Sequence, residues 1–224
     1  MSSLVINHIT KSFNKYSVLT DISFKLETGD ILGIFGRNGC GKSTLLKILF
    51  GTLNADSQSI LIDSQKYNPN KNIVSRQIAY LPEENFLPQD IKVRNVIPIY
   101  FHDGEAQNKI FYDPRVASFV NQQVGSLSHG EKRYLEILLI SRLQHRFLLL
   151  DEPFSMIDPI FQDAIKDVLI SIRDKKAILL TDHYYQDVLQ VADRNILIKA
   201  GKTIEVQDKK DLVDLGYLPI AKEL

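Results

Sequence analysis

The chain has a single cysteine, Cys40, in 224 residues. One thiol excludes an internal disulfide and suits a reducing compartment. An excess of charge of either sign is also missing, since 27 lysines and arginines balance 27 aspartates and glutamates. No surface for a polyanion is advertised, and no nucleic-acid partner is expected. No apolar run approaches the ~20 residues a membrane-crossing helix needs. The richest segment, Leu135 to Leu150, is interrupted by Glu136, Arg142, Gln144, His145 and Arg146. The opening Met1 to His8 lacks the charged and apolar regions of a secretory signal. Internal repeats and low-complexity segments are absent too. The expectation is a soluble, cytoplasmic chain, with any membrane crossing left to another subunit. The length suits one large domain, 1–224, with at most an added lobe.

The chain is organised around Gly36-Arg37-Asn38-Gly39-Cys40-Gly41-Lys42-Ser43-Thr44. The apolar run Ile31–Phe35 precedes it, and Leu45–Leu49, with helical spacing, follows it. Strand, glycine-rich loop and helix with G-x-x-x-x-G-K-S at the junction form a phosphate-binding loop in its required context. Its glycines let backbone N–H groups turn inward around a triphosphate. The helix adds the positive end of its dipole and unpaired first-turn donors. Lys42 would reach the β- and γ-phosphates, and the Ser43 hydroxyl would be a Mg²⁺ ligand. Cys40, beside a helix N-terminus and a lysine, is expected to have its thiolate favoured.

Along the rest of the chain, Leu4–Ile9 and Ile22–Leu26 read as strands around a polar turn, Lys11 to Tyr16. Gly51 ends the helix after the loop, and Ser59–Ile62 and Ile78–Leu81 are further strands. From Glu83 to about Gly125 the texture changes. Val93–Ile97 reads as a helix cut by Pro98, and Asp113-Pro114 as the capped start of a second. This is a small helical lobe, about 84–126. A helix from Ser128 to Leu143, a strand from Phe147 to Leu150 and a helix opening at Asp158-Pro159 follow. Ala177–Leu180 is a strand, Tyr184 to Ala192 a helix, and Arg194–Ile198 with Thr203–Val206 a hairpin. Apolar strands alternating with helices define an α/β fold with a mostly parallel sheet covered on both faces.

Two further stretches carry chemistry. The strand Phe147–Leu150 delivers Asp151 and Glu152 at its C-terminal end, where open parallel sheets bind ligands. Asp151 suits the Mg²⁺ site opposite Ser43, and Glu152 could deprotonate an attacking water. Leu127-Ser128-His129-Gly130-Glu131 is an S-x-x-E capping box at a helix start. Its glycine lets a ligand approach the backbone, and its end is a second phosphate site. Read locally, Ser128 only caps its own helix. One triphosphate needs both helix ends only if they approach it from opposite sides.

With these motifs in this order, the chain resembles the ATP-binding cassette family, the nucleotide-binding subunits of ABC transporters, over nearly its whole length. Gly36–Thr44 is the phosphate loop, Leu127–Glu131 stands at the LSGGQ signature, and Leu148–Glu152 resembles the Walker B strand. Ser155–Asp158 resembles the D-loop, and His183, after Leu180-Thr181-Asp182, the switch histidine. The resemblance implies a P-loop NTPase core with an N-terminal antiparallel β subdomain and the helical lobe. It implies a head-to-tail dimer, a homodimer on this reading. Two ATP–Mg²⁺ would each be held by one subunit's phosphate loop and the other's signature residues Ser128, His129 and Gly130. Glu152 is then the catalytic base, His183 the γ-phosphate sensor and Asp158 the D-loop carboxylate. Phe13 stands at the adenine-stacking position, with Tyr16 its competitor, and Val18 near the ribose. The lobe would grip a polytopic membrane permease, placing the chain on the inner face of the membrane.

The pattern is broken in three places. Glu83 occupies the Q-loop position near Mg²⁺, where glutamine is usual, and a water-mediated contact suits its charge better. His129 and Glu131 replace a glycine and a glutamine in the signature; the His129 ring either meets the partner's ATP or faces solvent. The lobe is short. The downstream motifs look most like lipopolysaccharide-export and branched-chain amino-acid cassettes. A soluble cassette ATPase acting on a protein or nucleic-acid complex is the alternative, but it usually brings a second cassette, a coiled-coil insertion or a basic arm. A P-loop GTPase would need a guanine-reading Asn-Lys-x-Asp segment, and none is evident.

Overall fold

Three five-residue runs, Ile31–Phe35 (β3), Phe147–Asp151 (β7) and Ala177–Thr181 (β8), are buried at every position in the computed structural model, which describes residues 1–219. Strands covered on both faces read as unbroken apolar sequence. β8 pairs parallel with β3 and with β7, and β7 pairs parallel with Ile78–Leu81 (β6). On its other side β3 pairs parallel with Arg194–Lys199 (β9). That strand turns through Ala200 and Gly201, both at positive φ, into antiparallel Lys202–Val206 (β10). Ser3–Phe13 (β1), Tyr16–Glu27 (β2), Ser57–Ile62 (β4) and Gln65–Lys66 (β5) pair antiparallel among themselves. One parallel pairing, Lys202 with Asp21, joins β2 to β10. The result is one ten-stranded mixed sheet, ordered β5-β4-β1-β2-β10-β9-β3-β8-β7-β6. The parallel core and the antiparallel N-terminal unit are thus two halves of one sheet.

The helices are α1 (Lys42–Phe50), α2 (Asn72–Ser75), α3 (Val93–Tyr100), α4 (Gly104–Phe111), α5 (Pro114–Phe119), α6 (His129–Arg142), α7 (Pro159–Ile172), α8 (Tyr185–Val191) and α9 (Lys209–Asp214). Period-two alternation in β7 divides the core between them. Phe147 and Leu149 pack with Leu45, Leu46 and Leu49 of α1 and with β1 and β2. Leu148 and Leu150 pack with Leu135 and Leu138 of α6, Ile165 and Leu169 of α7, and the lobe. Each buried leucine contributes about 1.5–3 kcal/mol. The C-terminal ends of β3, β6, β7 and β8 are thereby held side by side.

Four local expectations are corrected. The hairpin of β1 and β2 continues to Phe13 and Tyr16, which pair, so only Asn14-Lys15 turns, with Asn14 at φ 53. α3 runs through Pro98 to Tyr100. The proline removes one helical hydrogen bond, while Val93, Val96 and Ile97 remain fully buried and Phe101 N still donates to Ile97 O at 3.1 Å. α4 lies between the two expected lobe helices, capped by Asp103 accepting from Ala106 N at 2.8 Å. α9 follows the last strand and was not expected.

Candidate functional site

β3 runs into the glycine-rich loop, where Gly39 and Gly41 adopt φ 77 and φ 104. A Cβ on Gly41 would lie 2.6 Å from Leu19 Cδ2 and 2.8 Å from Val18 Cγ1, so both backbone conformation and space demand glycine. Gly41 is the N-cap of α1 and no side chain caps the helix, which leaves first-turn N–H groups for an anion. Lys42 is 6% exposed, and its ammonium bends back over the loop to donate to Gly36 O at 2.8 Å. Ser43 Oγ donates to Asp151 Oδ1 at 3.2 Å. Asp151 is buried at the end of β7 and also accepts from Thr181 Oγ1 at 2.8 Å and Tyr80 OH at 3.1 Å. Burial, and next the Asp151 charge, push the Tyr80 hydroxyl pKa up, so it remains a donor. A hydroxyl beside a carboxylate is a hard-oxygen set, which fits Mg²⁺ completed by phosphate oxygens and water.

Glu152 follows at φ 51, left-handed backbone that costs a non-glycine residue about 1 kcal/mol or more. Its N–H donates to Thr181 O at 2.9 Å, and Ser155 Oγ donates to its Oε2 at 3.0 Å. His183 Nε2 lies 2.6 Å from its Oε1. Asp182 anchors this turn by accepting from Phe154 N at 2.7 Å, Tyr184 N at 2.9 Å and Ser155 Oγ at 3.2 Å. Burial raises the Asp182 carboxyl pKa, the three donors opposing it and Glu152's charge adding to it.

These groups surround a cavity of about 330 Å³, lined by Val18, Asn38, Gly39, Gly41 to Thr44, Glu83, Glu152 and His183. Expected nucleotide, metal and catalytic positions thus meet at one place. The chemistry available is an anion cradle, a hard-oxygen metal pair and a carboxylate–imidazole pair. Tyr80 and Thr181 were missed as site residues, and Ser155 was read only as the start of the D-loop. The roles of Tyr80 and Thr181 depend on β6, β7 and β8 being neighbours, and only the position of Thr181 at a strand's C-terminal end signals it in the sequence.

Other expected residues lie apart from the cavity wall. Phe13 and Tyr16, 44% and 79% exposed, sit at the tip of the β1–β2 hairpin, with Lys11 Nζ 5.3 Å from the Phe13 ring centroid. Cys40 turns its Sγ behind Gly36, where a Cβ would meet it at 2.3 Å, and lines a different cavity of about 410 Å³ with Arg37, Ile198 and Tyr217. Burial raises its thiol pKa and outweighs the opposing Lys42 charge, which corrects the expectation of a favoured thiolate. Ser128 Oγ accepts from Glu131 N at 3.2 Å while Glu131 Oε2 accepts from Ser128 N at 2.7 Å, a complete capping box. The exposed His129 has Nδ1 3.4 Å from Asn85 Nδ2; burial, then Arg133 and Lys132, lower its pKa. A Cβ on Gly130 would stand 2.7 Å from Phe161 Cδ2, so close packing of α6 on α7 already demands this glycine. Asp158 caps α7, accepting from Phe161 N at 3.3 Å.

Residues 19–155 match the family model described as ABC transporter. The chain is 31% identical over 216 residues to the lipopolysaccharide export system ATP-binding protein LptB of Haemophilus influenzae, covering 91% of this chain and 90% of that protein. It is 30% identical over 218 residues to the uncharacterized ABC transporter ATP-binding protein YhaQ of Bacillus subtilis, covering 92% and 71%. Among solved structures, an ATP-binding subunit of an ABC transporter superposes with a TM-score of 0.81 at 20% identity, over 97% of this chain and 95% of that one. A nucleotide-free ATP-binding cassette of an ABC transporter gives the same score and identity, over 98% and 96%.

Proposed function

The chain belongs to the ABC transporter family, and we propose that it is the ATP-hydrolysing subunit of a transporter, closing head to tail with a second copy around two ATP–Mg²⁺ to drive a separate membrane subunit. The observation that carries this reading is the convergence of the uncapped α1 N-terminus, the Ser43–Asp151 pair and the Glu152–His183 pair on one cavity. On this reading residues 1–224 work as one ATPase domain with its lobe at 84–126. The loop amides and Lys42 hold the phosphates, and Lys42 leaves Gly36 O for the nucleotide. Ser43 and Asp151 would hold Mg²⁺, which when bound neutralises charge on the phosphate oxygens. Glu83, on the same wall, would meet it through water.

Glu152 takes a proton from the attacking water as the water oxygen bonds to the γ-phosphorus and the bond to the β–γ bridging oxygen breaks, giving ADP and phosphate. Ser155 and His183 orient its carboxylate, and His183 reads the γ-phosphate. Phe13 stacks on adenine and Val18 packs by the ribose. Ser128, His129 and Gly130, absent from the wall of their own cavity and at a helix start where Ser128 and His129 are exposed, serve the partner's ATP, with Asp158 beside them at the interface. Among the described residues no helix is long and apolar enough to cross a membrane, so the permease provides the span. A recess of about 490 Å³ lined by Phe50, Ile73, Ile99 and Tyr100 suits a permease segment, since Ile73 and Ile99 are 81% and 62% exposed. The likeness to a lipopolysaccharide export protein makes an exported amphipathic lipid one cargo to test.

Phosphate release by the purified chain tests the reading. Glu152→Gln is expected to keep binding a fluorescent ATP analogue while turnover falls by about 10²–10⁴-fold. Wild-type turnover in that variant would remove Glu152 from the chemistry.

A further inference from the structure

Arg133 lies in the second turn of α6 and is 1% exposed. Its guanidinium is absent from the wall of the nucleotide cavity. It donates instead to three backbone carbonyls: Nη1 to Pro82 O at 2.6 Å, and Nη2 to Asp151 O at 2.5 Å and Glu152 O at 3.1 Å. These oxygens stand where two adjacent parallel strands end, since β7 finishes at Asp151 and Pro82 directly follows β6. One helical turn on, the fully buried Glu136 places Oε2 3.6 Å from Arg133 Nη1, and its Oε1 accepts from Phe86 N at 2.9 Å. The pair therefore clasps both ends of the segment Pro82 to Phe86, which contains Glu83 and leads into the lobe.

A buried ion pair is weak as a source of stability, because apolar residues of similar volume often do as well. What the guanidinium supplies here is geometry. It is planar and rigid, with donors in a fixed fork that can span several acceptors at once. Glu152 sits in backbone that non-glycine residues avoid, at φ 51, and such a conformation persists only where surroundings over-determine it. Thr181 O fixes the amide side of Glu152 and Arg133 fixes its carbonyl side. The same group fixes the carbonyl just before Glu83.

We propose that Arg133 is a positioning residue for ATP hydrolysis, holding the Glu152 main chain in its left-handed conformation so that the carboxylate meets the attacking water. Through Pro82 it also sets where Glu83 stands relative to Glu152, so displacement of the lobe-ward segment is felt at the base. This rests on Glu152 being that base. A lysine at 133 keeps the charge but offers a point ammonium in place of the rigid fork that now spans the three carbonyls.

The test compares wild type, Arg133→Lys, Glu152→Gln and the double variant by phosphate release, with binding of a fluorescent ATP analogue measured separately. In Arg133→Lys, kcat is expected to fall on the order of 100-fold, the scale of an ångström of misplacement. The dissociation constant of the analogue stays within about threefold, because the phosphate cradle is untouched. The double variant should hydrolyse no more slowly than Glu152→Gln alone, since the group being positioned is already gone. A wild-type kcat in Arg133→Lys, or losses that multiply in the double variant, would overturn the proposal and leave the base assignment standing. Full activity in Glu152→Gln would overturn both. If Arg133→Lys does not fold, Arg133→Met/Glu136→Leu removes both buried charges together and carries the same comparisons.

Discussion

At the start of α1 the cap position is Gly41, left-handed and without a side chain to occupy the first N–H groups, whereas at the start of α6 it is Ser128, locked with Glu131 in a reciprocal capping box. Both stretches contain glycine and both open a helix, yet their glycines answer different needs. Gly41 gives the loop its turn beside Val18 and Leu19, and Gly130 lets α6 lie against Phe161. The far ends differ as well. α1 closes on Gly51, whose N–H donates to Ile48 O and Lys47 O, while the exit from α6 is held by Lys176, whose ammonium donates to the C-cap Leu143 O at 2.6 Å and to His145 O at 2.5 Å. The contrast teaches that α1 is left incomplete for an anion within its own chain. On the proposed reading α6, whose capping box pairs the Ser128 and Glu131 amides, stands solvated until a partner's nucleotide meets its remaining first-turn N–H groups.

The contrast breaks most sharply if the open end is closed. Gly41→Ser would add a cap hydroxyl, but at φ 104 and with a Cβ 2.6 Å from Leu19 Cδ2 the loop must shift. We expect kcat/KM for ATP to fall on the order of 100-fold or more, read by steady-state phosphate release. Unchanged kinetics would mean that the α1 start does not hold the phosphates.

The next effect concerns the clasp on α6. Burial pulls the Lys176 ammonium pKa down from 10.5 to about 8. Below pH 8 the group is charged in both folded and unfolded chains and its burial penalty is fully present. Between pH 8 and 10.5 the folded chain sheds the proton first while the unfolded chain still binds it, so this group makes stability rise with pH. Urea unfolding should show wild type gaining about 2 kcal/mol over Lys176→Met between pH 7.5 and 10. A parallel pH dependence in the two proteins would contradict the assignment. A smaller change tests the closed end directly. Ser128→Ala should lose about 1 kcal/mol of stability, a fall in Tm of about 2–4 °C for a chain of this size. An unchanged Tm would mean that the capping box is not formed in solution. The smallest effect is at the cavity wall, where Glu83→Gln should keep kcat within about threefold or raise it. A large loss would give the carboxylate a direct part.

The same contrast explains what was legible in the sequence. β3, β7 and β8 could be read because burial on both faces leaves unbroken apolar runs, and the phosphate loop because its glycines and lysine are contiguous. The caps at Asp113, Ser128 and Asp158 were legible because capping is local chemistry. α4 was not, since Ile110 is its one fully buried residue and its apolar stripe is correspondingly thin. Pro98 misled because the contacts that carry α3 past it come from elsewhere in the lobe. The hydroxyls of Tyr80 and Thr181 and the guanidinium of Arg133 reach Asp151 and Glu152 from separate elements, so only the folded chain brings them together. The turn of Cys40 behind Gly36, away from the nucleotide cavity, follows from loop geometry that its neighbours in sequence do not announce.

The central claim is that the open end of α1 in one chain and the closed end of α6 in another share a nucleotide. The most direct measurement is the molar mass of Glu152→Gln in solution by light scattering, with and without saturating ATP–Mg²⁺, alone and with Ser128→Arg added. The account predicts a monomer without nucleotide, a dimer with it, and a monomer again when Ser128→Arg is present although ATP still binds. A Glu152→Gln chain that binds ATP yet stays monomeric, or a dimer indifferent to Ser128→Arg, would contradict it.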